Sequence, residues 1–134
     1  MRALLVPVGT DWYALDLGSV REVVARPVVT AVPSGPLSLL GLFNLRGEIV
    51  PLFDTATLLR LGQMATGPFA AIVHTTHGSA GLSVSGVPES VELGEPEPMD
   101  SVVGLATYAL GTRLATLVDV EDLLTGEAVR GLDG

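Results

Sequence analysis

The chain contains an internal repeat, and this repeat limits the folds that its 134 residues can form. Residues 41–59 and 104–124 share one pattern: an opening Gly-Leu, a strand, a glycine turn, a second strand that ends in Asp, and a closing Leu-Leu. Upstream of each copy, residues 14–24 match residues 81–91 in the same way. Repetition at a fixed period indicates similar structural units. We therefore predict two small β modules in tandem, with the seam between them as a candidate binding site.

Each repeat is too short to bury a large core alone. Half of this chain is about 65 residues, a size at which a domain is only marginally stable. Hydrophobic residues make up 48% of the sequence, and the mean hydropathy is +0.52. We therefore expect one domain whose modules fold together over a shared apolar core. Some apolar surface should remain exposed for partners.

Short strands separated by turn residues fill most of the sequence, which indicates small barrels and a mostly β fold. We predict a first subdomain at about 12–62 and a second at about 69–125, with a linker between them at 62–68. The N-terminal strand, residues 2–8, can pair with either barrel.

The residue types that many enzymes and metal sites need are missing. The chain has no cysteine and no lysine, which excludes thiolate metal sites, cysteine nucleophiles and Schiff-base chemistry. His74 and His77 lie three apart in a predicted turn, with no neighbouring acidic residue to complete a metal site. We predict no enzymatic activity, no metal and no cofactor. The alternative is a small-ligand or hydrolytic enzyme that uses these histidines, which elemental analysis for zinc would test.

Two aspartates recur at equivalent places in the repeat. Asp54 and Asp119 each precede a short predicted helix that contains a Leu-Leu pair. An aspartate before a helix commonly caps the free N–H groups of its first turn. Capping explains why the residue recurs, whereas a catalytic pair of carboxylates, the alternative, does not.

Charge is distributed unevenly along the chain. Residues 1–67 contain five arginines and five acidic residues, whereas residues 68–134 contain two arginines and ten acidic residues, which accounts for the net charge of −8. Nucleic-acid binding is not expected, since it needs a basic face. The acidic half is either a solubilising surface or a docking surface for a basic partner. The sequence has no signal peptide and no apolar stretch of membrane-spanning length, so we expect a cytoplasmic protein without membrane insertion.

Arg46 is the only charged residue in the strand GLFNLRG. An arginine at the end of a strand is often simply solvated. A guanidinium beside apolar surface is also suited to binding a carboxylate or carbonyl of a partner. Both interpretations are compatible with the sequence.

The segment GLFNLRGEIVPLFDTATLL resembles the signature of CheW-like domains, the adaptor family of bacterial chemosensory arrays. The resemblance extends over about residues 3–125, since WYALDLGSVREVV, VSGVPESVEL and the closing hairpin also match in order. One departure is Ala14, which stands where the family usually has glycine. The matching signature residues are Gly41, Asn44, Leu45, Arg46, Gly47, Pro51 and Asp54.

The resemblance implies two tandem SH3-like five-stranded barrels on a shared apolar core, with short helices. It also implies a non-enzymatic adaptor that couples the cytoplasmic tip of chemoreceptors to the regulatory domain of a CheA-type histidine kinase. Two alternatives remain: an adaptor of a type IV pilus or gliding system, and a stand-alone SH3-like peptide-binding module, which would need an aromatic-lined groove. The partner-binding positions that the resemblance implies are Val20, Glu22, Gly41, Asn44, Arg46, Leu82 and Val84.

Overall fold

The structure is a computed structural model that describes residues 1–62, 66–97 and 106–125. Within these residues the chain is almost entirely β, with a 3-10 turn at Leu17–Ser19, a short helix α1 at Thr55–Leu58 and a helical segment at 120–125. These helices are too short to cross a membrane. The strands are β1 Arg2–Val8, β2 Asp11–Asp16, β3 Val20–Ala25, β4 Leu39–Leu45, β5 Glu48–Asp54, β6 Phe69–Thr75, β7 Gly78–Val84, β8 Glu89–Glu92, β9 Thr107–Leu110 and β10 Arg113–Val118.

The strands form two curled five-stranded sheets. The first sheet has the order β3-β6-β7-β5-β4, and the second has the order β8-β1-β2-β10-β9. Three of the four neighbouring pairs in each sheet are antiparallel, and the fourth, β5 with β7 or β10 with β2, is parallel. The predicted fold class, mostly β with two five-stranded units and few short helices, is confirmed.

The two repeats exchange a hairpin. β1 to β5 belong to the first repeat and β6 to β10 to the second, yet β6 and β7 lie inside the first sheet while β1 and β2 lie inside the second. Each sheet therefore contains three strands of one repeat and the N-terminal hairpin of the other. The bounds predicted for the two subdomains, 12–62 and 69–125, are not the bounds of the two sheets. The two parallel pairings, which join segments far apart in the sequence, are the reason for this difference.

The exchanged hairpins have two buried faces. In β1, Ala3 and Leu5 point into the interior of the second sheet, while Leu4 and Val6 point into a core between the sheets. β6 has the same alternation toward the interior of the first sheet and toward the shared core. The apolar runs of these strands follow from burial on both faces. The shared core consists of Leu4, Val6, Val8, Leu15, Ala56, Leu58, Ala71, Val73, Ala80, Leu82, Val84, Val118 and Val120.

The repeat symmetry also accounts for Ala14. Ala14 pairs with Leu117 in the second sheet, as Gly81 pairs with Leu52 in the first. A Cβ atom on Gly81 would lie 2.9 Å from Cδ1 of Leu52, so this site is tight in the first sheet. In the second sheet the corresponding site holds the methyl group of Ala14, which is completely buried.

Both repeated aspartates cap a helix, as predicted. Asp54 Oδ1 accepts a hydrogen bond from the backbone N–H of Ala56 at 3.2 Å, and Oδ2 accepts one from the hydroxyl of Thr57 at 2.7 Å. Asp119 Oδ1 accepts from the backbone N–H of Asp122 at 2.9 Å. Asp54 is 2% exposed, whereas Asp119 is exposed. Water can therefore accept the hydrogen bond of the helix N–H group in place of the Asp119 carboxylate more easily than in place of the Asp54 carboxylate.

We expect Asp54→Ala to lower the free energy of unfolding by about 1–2 kcal/mol, because buried donors lose their acceptor. The matched variant Asp119→Ala should cost less, roughly 0.5 kcal/mol, because its cap is solvated. Denaturant unfolding of both variants and the wild type measures the difference. Equal losses, or an unchanged midpoint for Asp54→Ala, would show that burial does not set the strength of these caps.

Candidate functional site

Glu22 and Arg46 connect opposite edges of the first sheet. β3, which contains Glu22, and β4, which precedes Arg46, are the two edge strands. Arg46 Nη1 donates a hydrogen bond to Oε1 of Glu22 at 2.9 Å, and Nη2 donates one to Oε2. The contact is thus a bidentate ion pair, the strongest form that arginine makes with a carboxylate. It links the two edges of the curled sheet where no backbone hydrogen bonds join them.

The turn between β4 and β5 presents Arg46 to solvent. Arg46 and Gly47 both have positive φ angles, +50° and +91°, which is the pattern of a type I′ hairpin turn. Asn44 Oδ1 accepts a hydrogen bond from the backbone N–H of Gly47 at 2.7 Å and so helps to fix this turn. The side chain of Arg46 remains 64% exposed. Asparagine or glycine would fit the first turn position with less strain, so the turn geometry gives no reason for arginine there.

Gly41 allows a second connection near the same edge. The backbone N–H and C=O groups of Leu42 both bond with Thr30, at 2.8 Å each, which attaches the segment after β3 to β4. Gly41 has a φ of +151°, and a Cβ atom there would lie 2.3 Å from the carbonyl oxygen of Thr30. Only glycine permits this close approach. Gly41 is buried and acts through the backbone.

Arg21 extends the Glu22–Arg46 pair into a network of four charges. Its Nη1 donates to Oε1 of Glu48 at 2.8 Å and to Oγ of Ser79 at 3.2 Å, while its Nε lies 3.5 Å from Oε2 of Glu22. The hydrogen bond from Arg46 lowers the pKa of the Glu22 carboxyl, and the hydrogen bond from Arg21 lowers the pKa of Glu48. Glu22 in turn raises the pKa of Arg46. Both carboxylates are therefore ionised at neutral pH.

An apolar groove lies beside this network. It has a volume of about 720 Å³ and is lined by residues from 24–30 and 42–45 together with Ile49. Val28 is 88% exposed and Ile49 is 60% exposed, values that are high for large apolar side chains. We call this feature the β3–β4 groove. Its combination of apolar lining and an adjacent exposed arginine is typical of a protein-binding surface.

The remaining predicted site residues lie elsewhere. Val20 is half-buried and packs against the shared core. Leu82 and Val84 are 1% and 2% exposed and belong to that core, so their side chains have no surface to offer a partner. They lie in β7, which has strand neighbours on both sides and is buried from residue 80 to residue 84. The structure therefore brings together Glu22, Asn44 and Arg46, whereas Gly41 lies farther along β4 and contacts the segment after β3.

The second sheet carries a related ion pair that sequence analysis missed. Arg113 Nη1 donates to Oε2 of Glu89 at 3.0 Å, and the Arg113 guanidinium lies 4.8 Å from the centre of the Trp12 ring. Glu89 aligns with Glu22 in the repeat, and each glutamate lies 24 residues before its arginine. That equal spacing was the available signal. Aligning the two hairpin turns residue by residue does not pair the two arginines, because Arg113 begins β10 whereas Arg46 lies within the β4–β5 turn.

A second concave surface lies at the seam of the two sheets. This seam groove has a volume of about 400 Å³ and is lined by residues that include Asp16, Ser19, His74 and the segment 117–121. His74 and His77 are both exposed. Among the described residues, no group of three His, Cys, Asp or Glu side chains is placed to hold a metal ion.

Comparison with known proteins identifies the sequence family. The family model described as "CheW-like domain" matches residues 2–128. The chemotaxis protein CheW of Klebsiella aerogenes is 28% identical over 141 residues, an alignment that covers 97% of this chain and 85% of that protein. The probable chemotaxis protein CheW of Rhizobium etli is 27% identical over 131 residues, covering 88% of this chain and 83% of that protein.

A solved structure has the same fold. The crystal structure of the scaffolding protein TtCheW from Thermoanaerobacter tengcongensis superposes with a TM-score of 0.76. The match covers 91% of this chain and 90% of that chain at 23% sequence identity. This likeness supports the arrangement of two five-stranded sheets described above.

We expect Gly41→Ala to lower the free energy of unfolding by about 2 kcal/mol or more, because the new methyl group meets the Thr30 carbonyl and the φ angle disfavours alanine. Gly94→Ala is the matched control, since no atom lies within 4 Å of a Cβ at that position. Denaturant unfolding compares the two variants. A Gly41→Ala protein as stable as Gly94→Ala would disprove the close approach between β4 and Thr30.

Proposed function

The chain belongs to the family of CheW-like domains, and we propose that it is a non-enzymatic adaptor that couples chemoreceptors to a CheA-type histidine kinase. Two relatives that align over most of its length are named as chemotaxis proteins CheW, one of them as probable, and the protein of similar structure is described as a scaffolding protein. The observation that carries the proposal is the Glu22–Arg46 ion pair beside the exposed β3–β4 groove. This combination of charge and exposed apolar surface supports binding of a protein partner here.

Affinity and orientation come from different parts of this surface. Exposed apolar side chains such as Val28 and Ile49 lose contact with water on binding, which favours association. Charged groups such as Glu22 and Arg46 contribute less net affinity but discriminate between partners and fix the orientation of the complex. We propose that the kinase regulatory domain binds at this surface.

An adaptor of this kind needs a second surface for its other partner. Two proteins become energetically coupled when each binds a distinct site on the same body. The seam groove, formed where the two sheets meet, is our proposed site for the cytoplasmic tip of a chemoreceptor. In this scheme the adaptor works in the cytoplasm, binds no nucleic acid and does not insert into the membrane. Docking of a basic partner on the acidic second half stays a prediction.

We expect Arg46→Glu to abolish co-purification with the kinase regulatory domain while the fold is kept. The side chain is 64% exposed, and exposed ion pairs contribute only about 0–1 kcal/mol to stability. Arg60→Glu is the matched control, because Arg60 is also exposed and has a similar φ of +63°. Normal recovery of the kinase with Arg46→Glu, at an unchanged unfolding midpoint, would refute the role of Arg46.

Exchanging the charges of Glu22 and Arg46 distinguishes a role of the ion pair in partner recognition from a role in holding the sheet together. The double variant Glu22→Arg/Arg46→Glu restores an ion pair between the two edges of the first sheet but reverses both charges. If the pair matters to the partner, we expect this variant to unfold like the wild type and still fail to bind the kinase. Recovery of binding would instead mean that the pair acts only by holding β3 and the β4–β5 turn together.

A further inference from the structure

Glu22 lies between two arginines. Arg46 occupies both of its carboxylate oxygens, while Nε of Arg21 lies 3.5 Å from Oε2, close enough for charge attraction but longer than a good hydrogen bond. The side chains of Arg21 and Glu22 are 29% and 26% exposed, against 64% for Arg46. Arg46 is therefore the more accessible of the two arginines to an approaching protein.

In the free protein, Arg46 is already engaged. Two of its five guanidinium N–H donors, one on each Nη atom, hold Glu22, so a partner carboxylate that takes this end-on fork displaces Glu22 from it. Turning that fork toward a partner would leave Glu22, which is three-quarters covered, without its main counter-charge. Leaving a partly buried charge unpaired has a free-energy cost that would oppose binding.

Arg21 is placed to remove this cost. A register shift between Val20 and Glu22 makes Arg21 the extra residue of a bulge in β3. Such bulges re-aim side chains. The Arg21 side chain is held from the other side by Glu48 at 2.8 Å and by Ser79 at 3.2 Å. Its Nε, 3.5 Å from Oε2 of Glu22, is only about 0.5 Å beyond ordinary hydrogen-bond distance.

We infer that Arg21 is a positioning residue of the proposed partner surface. Arg21 becomes the counter-charge of Glu22 when Arg46 turns to an acidic side chain of the partner. The inference rests on the proposed function, since it requires that Arg46 bind a carboxylate of a partner protein. It implies that the partner's contact with Arg46 is an aspartate or glutamate. It also implies that Arg21 affects binding without itself touching the partner.

The first test needs no partner. The pKa of the Glu22 carboxyl can be followed by NMR titration in Arg46→Gln and in Arg21→Gln/Arg46→Gln. If Arg21 replaces Arg46 as the counter-charge, the pKa stays below its ordinary value in the single variant and rises to it in the double variant. A full return to the ordinary value in Arg46→Gln alone would overturn the inference, because Arg21 would then not hold Glu22.

The second test measures binding of the kinase regulatory domain. We expect Arg21→Gln to weaken binding about two- to fivefold, the range that corresponds to one exposed ion pair. In the Glu22→Gln background position 22 no longer carries a negative charge that needs a counter-charge, so the same change should have no effect on binding. Arg113→Gln, which removes the related arginine of the second sheet, is the matched control. Equal weakening in both backgrounds, or none in either, would contradict the inference.

The two tests separate this inference from the proposed function. A wild-type chain that binds neither kinase nor receptor refutes the proposed function, and with it a binding role for Arg21. The NMR titration then still decides whether Arg21 holds Glu22. Unfolding midpoints complete the comparison, because a purely structural role for Arg21 would change stability equally in the wild-type and the Glu22→Gln backgrounds.

Discussion

The burial of two hairpins on both of their faces is the interaction on which the rest of the structure depends. β1–β2 and β6–β7 each fill the interior of one sheet with one face and the core between the sheets with the other. A repeat of this length could not bury so much apolar surface alone. The exchange of hairpins lets both repeats contribute to every part of the core.

This arrangement leaves the edges of the sheets to be connected by other means. In the first sheet the exchanged hairpin occupies the second and third positions, so β3 and β4 become the edges. Glu22 and Arg46 join them at one place, and the Thr30–Leu42 backbone pair attaches the segment after β3 at another. Exposed ion pairs add little to stability. The charges can therefore serve recognition at small cost to folding, provided that the glycine at position 41 remains.

Local features of the fold were predictable from the sequence, whereas the sheet membership was not. The turn at Arg46-Gly47 and the caps at Asp54 and Asp119 follow from residues that are neighbours in the chain. The parallel pairing of β5 with β7 depends on contacts between segments that are distant in the sequence. The periodicity of apolar residues within each strand does not predict which strands pair. The resemblance to CheW-like domains led to the expectation that Leu82 and Val84 line a binding groove, whereas both side chains lie in the core.

The candidate site was predictable in part. The resemblance of the NLRG and VREV segments to CheW-like domains led to Arg46 and Glu22, but nothing in either segment indicates that the two side chains meet. Arg21 was not among the predicted partner-binding residues, because the bulge that sets its position in β3 arises from the pairing with β6 and is not visible in the sequence. The Glu89–Arg113 ion pair of the second sheet was missed because the hairpin turns of the two repeats are offset, so that Arg46 and Arg113 do not align.

The exchange of hairpins also has a consequence for synthesis on the ribosome. The β1–β2 hairpin emerges first, but its neighbours in the second sheet, β8 and β10, are made only after most of the chain. At about 5–20 residues per second, roughly 5–20 s separate the completion of β2 from that of β10. During that interval both apolar faces of the hairpin lack their final contacts. The nascent chain is therefore a natural client for chaperones that bind exposed hydrophobic strands.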